Sequence, residues 1–243
     1  MQRLDKELVH RGLVNSRSQA ENMIEHGDVK VGGEVVKKPA YIVHADAKIK
    51  LNINNQYVSR AALKLKSAAQ KLNIDFKGKT ILDVGSSTGG FTDYALQKGA
   101  IKSIAVDVGT DQLHPSLRAN TQIELHEKTD IRNFQSESLN DVDIAVCDVS
   151  FISLREILPS VKKMLIKPDA VIVAMVKPQF EAGEAQKNKG VIKNDTVRRK
   201  ILRNFENWSK RHFIIVDKAD SEVSGKKGNT ERFYVLKAPS KKG

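Results

Sequence analysis

The segment from residue 81 to residue 91 constrains the fold more than any other part of the chain. It reads Ile-Leu-Asp-Val-Gly-Ser-Ser-Thr-Gly-Gly-Phe, so an apolar run contains Asp83, a glycine-rich turn follows, and an amphipathic segment begins at Phe91. This order predicts a strand, a turn and a helix. Such a turn brings the backbone close to a bound nucleoside and directs free N–H groups of the helix N-terminus toward an anionic group.

The spacing of the glycines limits which class of ligand the turn is expected to bind. Dinucleotide-binding turns have the pattern Gly-x-Gly-x-x-Gly, whereas this chain has Gly85-x-x-x-Gly89-Gly90, which disfavours a dehydrogenase. Asp83 precedes the first glycine and suits S-adenosylmethionine, because that ligand carries an ammonium group that a dinucleotide lacks. We therefore predict an S-adenosylmethionine site; the alternative is a turn that serves packing alone.

The order of elements after residue 58 indicates an α/β domain with a parallel-dominated sheet and helices on both faces. Ligands of such sheets bind beyond the carboxyl ends of the strands, where Asp83, Asp107, Asp148 and Lys177 all fall. After the strand that leads into the turn, the predicted strands, which alternate with helical patterns, cover residues 102–106, 122–125, 143–147, 171–176, 213–216 and 233–236.

Other strand ends supply further candidate cofactor contacts. Asp107 lies 22 positions after Gly85, close to where an acidic residue takes ribose hydroxyls in this kind of fold; a buried or capping aspartate is the alternative. Asp130 follows the third strand and is a candidate contact to the adenine. The predicted cofactor contacts are Asp83, Gly85, Ser87, Thr88, Gly89, Gly90, Phe91, Asp107, Val108, Asp130 and Asp148.

Residues 1–58 form a separate, small α+β module in this interpretation. A first helix is predicted over residues 4–11, and Ser16 with Gln19 three residues later forms a capping-box pattern that opens a second helix. Alternating apolar residues then predict short strands. The module ends in a short polar segment, and residues 59–243 form the second domain.

The charge distribution indicates a polyanionic partner. The net charge is +12. Residues 187–243 carry 16 Lys or Arg against 6 Asp or Glu, and residues 59–79 carry 6 against 1, whereas residues 80–186, which contain the turn, carry 10 against 15. Basic stretches beside an acidic middle fit a nucleic acid gripped next to the pocket. Solubility, the alternative, does not require such segregation.

Cysteine content and hydropathy predict the cellular compartment of the protein. The single cysteine, Cys147, excludes a disulfide framework and a cysteine metal cluster, as expected in a reducing cytosol. The N-terminal residues are charged where a secretory signal is apolar, and the longest aliphatic run, residues 171–176, is far too short for a membrane span. We expect a soluble cytoplasmic protein and no metal site.

The N-terminal module carries a specific pattern of residues. It comprises Arg3-Leu4-Asp5, Arg11-Gly12, Ser16-Arg17-Ser18-Gln19-Ala20, Ile24 and Gly27-x-Val29-x-Val31-x-Gly33. This pattern resembles the S4 RNA-binding domain, whose members bind structured RNA through the positive face of a helix pair. The candidate phosphate contacts that this implies are Arg3, Lys6, Arg11, Arg17 and Lys30. The alternative for Arg3 and Arg17 is surface pairing with Asp5 and Glu21.

Four further motifs extend the resemblance over nearly the whole chain. They are Ser59-Arg60-Ala61-Ala62-Leu63-Lys64-Leu65, Cys147-Asp148-Val149-Ser150-Phe151, Val176-Lys177-Pro178-Gln179-Phe180-Glu181 and Asn229-Thr230-Glu231-Arg232-Phe233. Together with the turn they resemble the TlyA family, whose catalytic domain is similar to FtsJ-type ribose 2′-O-methyltransferases with a Rossmann-like class I sheet. The chain departs from the family at Ala61-Ala62, where glycines are common; alanine is a mild change and leaves Lys64 in register.

The resemblance implies an activity and residue roles. It implies methyl transfer from S-adenosylmethionine to the ribose 2′-hydroxyl of cytidine in ribosomal RNA, with ribosomal subunits as the context. It also implies a catalytic tetrad of Lys64, Asp148, Lys177 and Glu231. Arg60, four residues before Lys64, is a further candidate RNA contact; a solvated helix face is its alternative.

Lysines and carboxylates suit this reaction. A hydroxyl is a poor nucleophile until its proton is accepted or its alkoxide is stabilised. A free lysine is protonated at neutral pH, so Lys177 is a base only if desolvation, Lys64 or the sulfonium favours its neutral form. Otherwise it steers the hydroxyl while the proton leaves late, and the sequence leaves both open. Phe180 either stacks on a flipped base or anchors its loop.

Two other functions compete with this one. The family is often labelled haemolysin, which predicts a membrane-active protein, but the sequence has no export signal, spanning segment or long amphipathic repeat. The second is a non-catalytic RNA-binding ribosome assembly factor, and the intact tetrad and turn argue against it. The sequence determines neither the nucleotide nor the subunit modified, nor the choice between free RNA and assembled subunit, nor the oligomeric state.

Overall fold

The computed structural model describes residues 1–51, 57–182, 191–192, 194–225 and 228–239. Of the polar segment in which the domain boundary is predicted, residues 52–57, only Tyr57 is among the described residues. The polar stretch of residues 179–195, which contains Gly183 and Gly190, is predicted as a loop over the site. Residues 183–190 and Lys193 of this stretch are not described, and its start belongs to a short helix, Pro178–Glu181.

The N-terminal part consists of two short helices and two small antiparallel sheets, with strand orders β3-β2-β5 and β1-β4. Its elements are β1 Gln2–Arg3, α1 Leu4–His10, α2 Arg17–His26, β2 Val29–Val31, β3 Glu34–Val35, β4 Ile42–Val43 and β5 Ile49–Leu51. Apolar side chains of both helices pack on two of the strands, and the buried cluster comprises Leu4, Leu8, Val14, Ala20, Met23, Ile24, Val29 and Val43.

Helix α2 begins at the predicted cap. Ser16 Oγ accepts a hydrogen bond from Gln19 N at 3.2 Å, and Gly27 ends the helix in the left-handed region at φ 95°. The Gln19 side chain departs from a capping box: its Oε1 accepts from Asn15 N and its Nε2 donates to Leu113 O, both at 2.8 Å. The cause is tertiary, because Gln19 is fully buried against the second domain.

The first turn of α2 contacts the second domain at another point. Ser16 Oγ donates to Asp111 O at 3.0 Å, and at the other end of the helix His26 Nε2 lies 2.8 Å from Tyr57 O. The N-terminal part therefore rests on the loop around Asp111 through buried and half-buried polar contacts.

The C-terminal part contains the predicted large sheet. Its strands are β6 Thr80–Val84, β7 Lys102–Val106, β8 Ile123–His126, β9 Ile144–Cys147, β10 Val171–Val176, β11 Ile214–Asp220 and β12 Arg232–Lys237. Its helices are α3 Arg60–Lys71, α4 Gly90–Gln97, α5 Pro115–Arg118, α6 Leu154–Met164, α7 Pro178–Glu181 and α8 Asp195–Ser209, with short 3-10 helices at Ile131–Asn133 and Glu137–Asp141. Among the described residues, no helix has both the length and the apolar character needed to cross a membrane.

Within the described residues the sheet has seven strands in the order β11-β12-β10-β9-β6-β7-β8. The five strands from β10 to β8 are parallel, whereas β12 is antiparallel to both β10 and β11. This arrangement confirms the predicted α/β class with a Rossmann-like, mostly parallel sheet.

Side chains of the central strands alternate between two apolar cores. In β10, Ile172 and Ala174 belong to the core that contains α6 and α8, whereas Val173 and Met175 belong to the core that contains α3 and α4. Both faces of the sheet are covered, so polar groups of these strands concentrate at their ends.

The predicted bounds differ most at β11. The prediction covers residues 213–216, but the strand runs over Ile214–Asp220. The register shifts between Ile215 and Asp217, which interrupts the alternation by which a strand is recognised. Its second half forms because β12 supplies a partner, not because its residues alternate.

A buried carboxylate organises the start of the N-terminal part. Asp5 is fully buried and accepts hydrogen bonds from Arg3 at 3.0 and 2.8 Å and from Arg17 Nε at 2.9 Å. Burial raises the pKa of Asp5, but hydrogen bonds from Arg3 and Arg17 outweigh it and lower this pKa to about 2. The carboxylate joins the starts of α1 and α2.

We expect Asp5→Asn to destabilise the N-terminal part by about 1–3 kcal/mol, because two guanidinium groups lose their anionic acceptor. The folded pKa, about 2, is below the unfolded value of about 3.9. The stabilisation is therefore present above the unfolded value and is lost as pH falls through the folded one. Amide hydrogen exchange of residues 4–26, corrected for its intrinsic pH dependence, measures both effects.

The matched control is Asp46→Asn, which changes an exposed carboxylate of the same part of the chain. Its exchange should equal that of the unmodified protein. Unchanged protection in Asp5→Asn would show that the two arginines do not depend on this carboxylate.

Candidate active site

Strand pairing brings four polar strand ends together. The antiparallel pairing of β10 with β12 places Lys177 and Glu231 at the ends of adjacent strands, and the parallel pairing of β9 with β6 does the same for Asp148 and Gly85. In the order β12-β10-β9-β6, these four residues stand side by side at one edge of the sheet. This is the carboxyl edge at which ligands of such sheets bind.

The turn after β6 requires glycine for two reasons. Gly85 and Gly89 have φ 80° and 87°, in the left-handed region that favours glycine. A Cβ on Gly85 would lie 2.8 Å from Asp148 O, and a Cβ on Gly90 would lie 2.2 Å from Ser59 Oγ. The chain is therefore packed tightly around the turn, and Gly90 opens helix α4.

Asp83 caps α4 from within the sheet. Its Oδ2 accepts hydrogen bonds from Thr92 N at 3.0 Å and Thr92 Oγ1 at 2.8 Å, and its Oδ1 has no hydrogen-bond partner among the described residues. The pKa of Asp83 is raised to about 7, chiefly by burial and to a smaller extent by the carboxylates of Asp148 and Asp107, against the hydrogen bonds from Thr92, which lower it. A cation at Oδ1 would favour the charged carboxylate.

Asp107 lies directly after β7, as predicted, and ties the turn to the next loop. Its Oδ2 accepts from Ser87 N at 2.8 Å and its Oδ1 from Gly109 N at 2.7 Å. Ser87 Oγ in turn donates to Gln112 Oε1 at 3.1 Å. Val108, beside Asp107, is 73% exposed. The ribose contact of Asp107 stays a prediction.

Three other candidate cofactor residues have different surroundings. Thr88 is buried in the turn, where its carbonyl oxygen accepts a hydrogen bond from the loop after β7. The Phe91 ring lies in the core, 6.2 Å from the Phe233 ring, and supports the turn without lining its surface. The Asp130 carboxylate pairs with Arg132 at 2.6 Å and caps a short 3-10 helix. Its adenine contact stays a prediction.

The four candidate catalytic residues form two ion pairs. Lys64 Nζ donates to Glu231 Oε1 at 3.0 Å, and Lys177 Nζ lies 2.6 Å from Asp148 Oδ1. Lys177 Nζ also donates to Ser150 Oγ at 2.7 Å. The four charged side chains are between 2% and 17% exposed. Two shielded ion pairs on adjacent strand ends are able to orient a polar group and to stabilise charge on it.

Five of the buried oxygen atoms around this edge lack a hydrogen-bond partner in the part of the chain that the structure describes. They are Ser59 Oγ, Asp83 Oδ1, Ser86 Oγ, Asp148 Oδ1, which has only its ion pair with Lys177, and Glu231 Oε2. Because buried polar atoms ordinarily have partners, this set indicates a polar ligand. An ammonium at Asp83 and a nucleoside along the glycine turn fit S-adenosylmethionine.

Phe151 is an exposed aromatic residue to which no role is assigned from the sequence. Its side chain is 91% exposed, and its φ of 68° is in the left-handed region that bulky residues rarely adopt. Its ring centroid lies 5.3 Å from that of Phe180, over which Lys177 Nζ lies at 5.7 Å. A signal was available, because Phe151 ends the motif that contains Asp148. The structure thus places an exposed aromatic pair beside the Lys177 ion pair.

Three candidate RNA contacts are engaged in ion pairs, of which Arg11 binds Glu7 at 2.5 Å. Arg3 and Arg17 both bind Asp5, and Arg17 Nε lies 3.2 Å from Glu21. This is the pairing that was the alternative to phosphate contact. Their side chains nevertheless remain 39% and 51% exposed, so each keeps solvent-facing N–H groups.

The candidate RNA contacts other than Arg3 and Arg17 differ in whether their charged groups already have hydrogen-bond or ion-pair partners. Arg11 is held within its domain, since its guanidinium donates to two main-chain carbonyl oxygens at 2.7 and 2.8 Å. Arg60 is exposed and donates to Ser224 O at 3.2 Å. Among the described residues, the ammonium groups of Lys6 and Lys30 make no hydrogen bond or ion pair. Lys6 and Lys30 are therefore the candidates with unoccupied donors.

A mostly parallel sheet covered on both faces, a glycine turn that accommodates a nucleoside, and a buried acid that suits an ammonium define a class I methyltransferase domain. Comparison with known proteins agrees with this class. Residues 57–238 match the model of the FtsJ-like methyltransferase family, and residues 2–49 match the S4 domain.

Similar proteins span nearly the same length. The 23S rRNA (cytidine-2′-O)-methyltransferase TlyA of Campylobacter jejuni is 39% identical, over 93% of this chain and 96% of the relative. The 16S/23S rRNA (cytidine-2′-O)-methyltransferase TlyA of Mycobacterium tuberculosis is 37% identical, over 97% and 89%. A solved structure from Streptococcus thermophilus, described as a hemolysin, has a TM-score of 0.75 at 34% identity and covers 98% of this chain and 88% of its own.

The chain belongs to the TlyA family, in which an S4 domain precedes an FtsJ-like methyltransferase domain. The family predicted from the motifs is confirmed. The FtsJ-like fold implies use of S-adenosylmethionine.

We expect Asp83→Asn to weaken S-adenosylmethionine binding by about 10- to 100-fold, because a hydrogen bond to a charged group contributes about 1.5–3 kcal/mol. The Asp83 carboxyl, with a pKa of about 7, must lose its proton to pair with the ammonium. Affinity should therefore rise as pH increases through about 7, and the Asn variant should lose this dependence. Calorimetric titration at several pH values measures both.

The control for that titration is Asp169→Asn, since this carboxylate is fully exposed. It should bind the cofactor like the unmodified protein at every pH. Equal affinity and an equal pH dependence in Asp83→Asn would remove Asp83 from the cofactor site.

Proposed function

We propose that this protein transfers the methyl group of S-adenosylmethionine to the ribose 2′-hydroxyl of a cytidine in ribosomal RNA. The printed names of the Campylobacter jejuni and Mycobacterium tuberculosis relatives support the substrate and the position of transfer. The S4 domain supports RNA as the partner. The assembled ribosomal subunit is the proposed context.

One observation carries the proposal: the ion pair of Lys177 and Asp148, at 2.6 Å, stands beside the turn at Gly85. A methyl donor on the turn and an acceptor hydroxyl at the ion pair would meet at one edge of the sheet. The second ion pair, Lys64 with Glu231, lies on the other side of Lys177, because Glu231 directly precedes β12, the strand that pairs with β10. Holding two reacting groups in line removes much of the entropic barrier to their reaction.

When bound, S-adenosylmethionine supplies an electrophilic methyl group on a sulfonium. The chain supplies the groups that hold the acceptor. An ammonium at Lys177 has three N–H donors, of which one is given to Ser150 Oγ, while Asp148 Oδ1 lies 2.6 Å away as the partner of the ion pair. A further donor is proposed to bind the ribose oxygen, where it stabilises negative charge as the hydroxyl proton leaves. We therefore assign Lys177 to hold and stabilise the oxygen, with Asp148 and Glu231 as the nearby proton acceptors.

The aromatic pair gives the target nucleotide a second contact. Phe151 and Phe180 lie next to Lys177, and the Phe151 ring is almost fully exposed. A base turned out of its helix stacks readily on such a ring, and each stacked base contributes about 1–3 kcal/mol. This assignment extends the role considered for Phe180 to a pair of rings.

We expect Lys177→Ala to lower the single-turnover methylation rate by about 100- to 10,000-fold, the range for a lost charge-stabilising or proton-transfer group. Cofactor affinity should be nearly unchanged, because among the described residues the side chain of Lys177 contacts Asp148, Ser150 and Phe180 but neither Asp83 nor the glycines. Transfer of labelled methyl groups to ribosomal RNA measures the rate, and mapping of 2′-O-methyl positions identifies the nucleotide. Lys163→Ala, an exposed lysine on α6, is the control.

Full activity of Lys177→Ala would refute the assignment of the tetrad. Methylation that occurs on a base instead of a ribose would refute the proposed acceptor while leaving the methyltransferase class intact.

We expect Lys6→Ala to weaken RNA binding without changing cofactor binding. Its unpaired ammonium is a candidate phosphate contact, so its loss should reduce the salt dependence of RNA affinity by about one charge. Filter binding over a range of salt concentrations measures this slope. The control is Lys163→Ala, an exposed lysine on α6 that lies outside the two basic stretches. Equal slopes for Lys6→Ala and the unmodified protein would exclude Lys6 from the RNA contact.

A further inference from the structure

A buried carboxylate behind the proposed catalytic edge is not used by the proposed mechanism. The Glu181 side chain is only 1% exposed, although Glu181 ends the short helix α7 that directly follows Lys177. A buried acid is costly unless its oxygens are hydrogen-bonded. The hydrogen-bond partners of Glu181 therefore indicate which parts of the structure its carboxylate joins.

All of its described partners lie at the start of α6. Oε2 accepts a hydrogen bond from Ser153 Oγ at 2.7 Å, and Oε1 accepts from Leu154 N at 2.8 Å. Arg155 Nε lies 3.4 Å from Oε2. Glu181 thus accepts a hydrogen bond from an N–H of the first turn of α6 that has no partner within the helix. It also accepts one from Ser153, whose side chain caps this helix, since Ser153 Oγ in turn accepts from Arg155 N.

The two segments that Glu181 joins are those that form the proposed site. Residues 148–153 carry Asp148 and Phe151, and residues 177–181 carry Lys177 and Phe180. Between them, the ion pair at 2.6 Å and the aromatic pair at 5.3 Å face the edge of the sheet. The Glu181 carboxylate forms a third, buried connection behind both.

The protonation behaviour of Glu181 fits this location. Burial raises the pKa of the Glu181 carboxyl, against hydrogen bonds from Ser153 and Leu154 N that favour its charged form. The side chain has no exposed face from which to reach a substrate. Glu181 therefore affects the reaction by holding residues 148–153 and 177–181 in place.

We propose that Glu181 is a positioning residue for methyl transfer, whose carboxylate fixes the segment of Asp148 and Phe151 against the segment of Lys177. This inference rests on the proposed function, because it assigns the held groups to the acceptor hydroxyl and its base. Without this connection, the segment of Asp148 and Phe151 is no longer fixed against the segment of Lys177 and Phe180. The cofactor turn, by contrast, keeps all of its own contacts. The rate of transfer then falls and cofactor binding does not.

The test compares two substitutions at this position. Glu181→Ala removes the connection and should lower the single-turnover rate by about 10- to 100-fold, the effect of a misplacement of about 1 Å between reacting groups. Glu181→Gln should restore most of the rate, because its amide oxygen still accepts from Leu154 N and its amide N–H groups still reach Ser153 Oγ. The dissociation constant of S-adenosylmethionine should be unchanged in both.

A matched control lies on α6, the helix that Glu181 contacts. Glu156 is in the first turn of α6, but its side chain is 60% exposed, and among the described residues its ion pair is a distant one with Arg132 at 4.0 Å. Glu156→Gln should therefore leave both rate and cofactor affinity unchanged. A second measurement, amide hydrogen exchange over residues 149–156, should accelerate in Glu181→Ala and not in Glu156→Gln.

Three results would overturn the proposal. The first is a Glu181→Ala rate equal to that of the unmodified protein. The second is a parallel loss of rate and cofactor affinity, which would mark general damage. The third is unchanged hydrogen exchange over residues 149–156. If Glu181→Ala does not fold, Glu181→Asp, which keeps the charge but is too short to reach both partners, is measured against the same three results.

The exchange measurement separates this proposal from the proposed function. If the unmodified protein does not methylate ribosomal RNA, the proposed function fails, and accelerated exchange in Glu181→Ala still supports Glu181 as the connection between the segments. If the unmodified protein is active and Glu181→Ala is equally active, the proposed function stands and the positioning role fails.

Discussion

The pairing of parallel strands whose two faces are both buried is the constraint on which this structure depends. Alternate residues of β10 enter two different apolar cores, so its interior positions are apolar and the first polar side chain is Lys177, directly after the strand. The same holds for β9 and Asp148. Because the register of β12, β10, β9 and β6 is fixed by these buried side chains, polar residues distant in sequence are brought to a single edge.

The second consequence of this arrangement is electrostatic. Two lysines and two carboxylates lie close together, yet each lysine has its own partner, so the four charges are balanced as two pairs. Removing one member leaves a shielded charge without a partner, which is costly. Within the described residues, Oε2 of Glu231 and Oδ1 of Asp83 have no hydrogen-bond partner and are available to a ligand. The site therefore combines fixed charges with unfilled hydrogen-bonding capacity, the combination that catalysis of a polar reaction requires.

The S4 domain is joined to this site through the loop that follows β7. Gln19 donates to Leu113 O, while in the same loop Gln112 accepts from Ser87 of the cofactor turn. A Cβ on Gly89 would lie only 2.6 Å from the Leu113 side chain, so the loop packs directly on the turn. The domain that is proposed to bind RNA and the turn that is proposed to bind the cofactor thus contact the same short segment.

The sequence alone determined the fold class, the strand that precedes the turn and the residues at the strand ends, because hydrophobic periodicity and glycine spacing are local signals. Its motifs resemble those of one family, and that resemblance indicated both the family and Lys64, Asp148, Lys177 and Glu231 as a set. Only the tertiary structure decided which lysine pairs with which carboxylate, that Gln19 leaves its capping box for Leu113, that Phe151 is exposed, and that Glu181 is buried against α6. These are contacts between segments far apart in the chain, and they depend on side-chain packing in three dimensions that no local pattern of residues specifies.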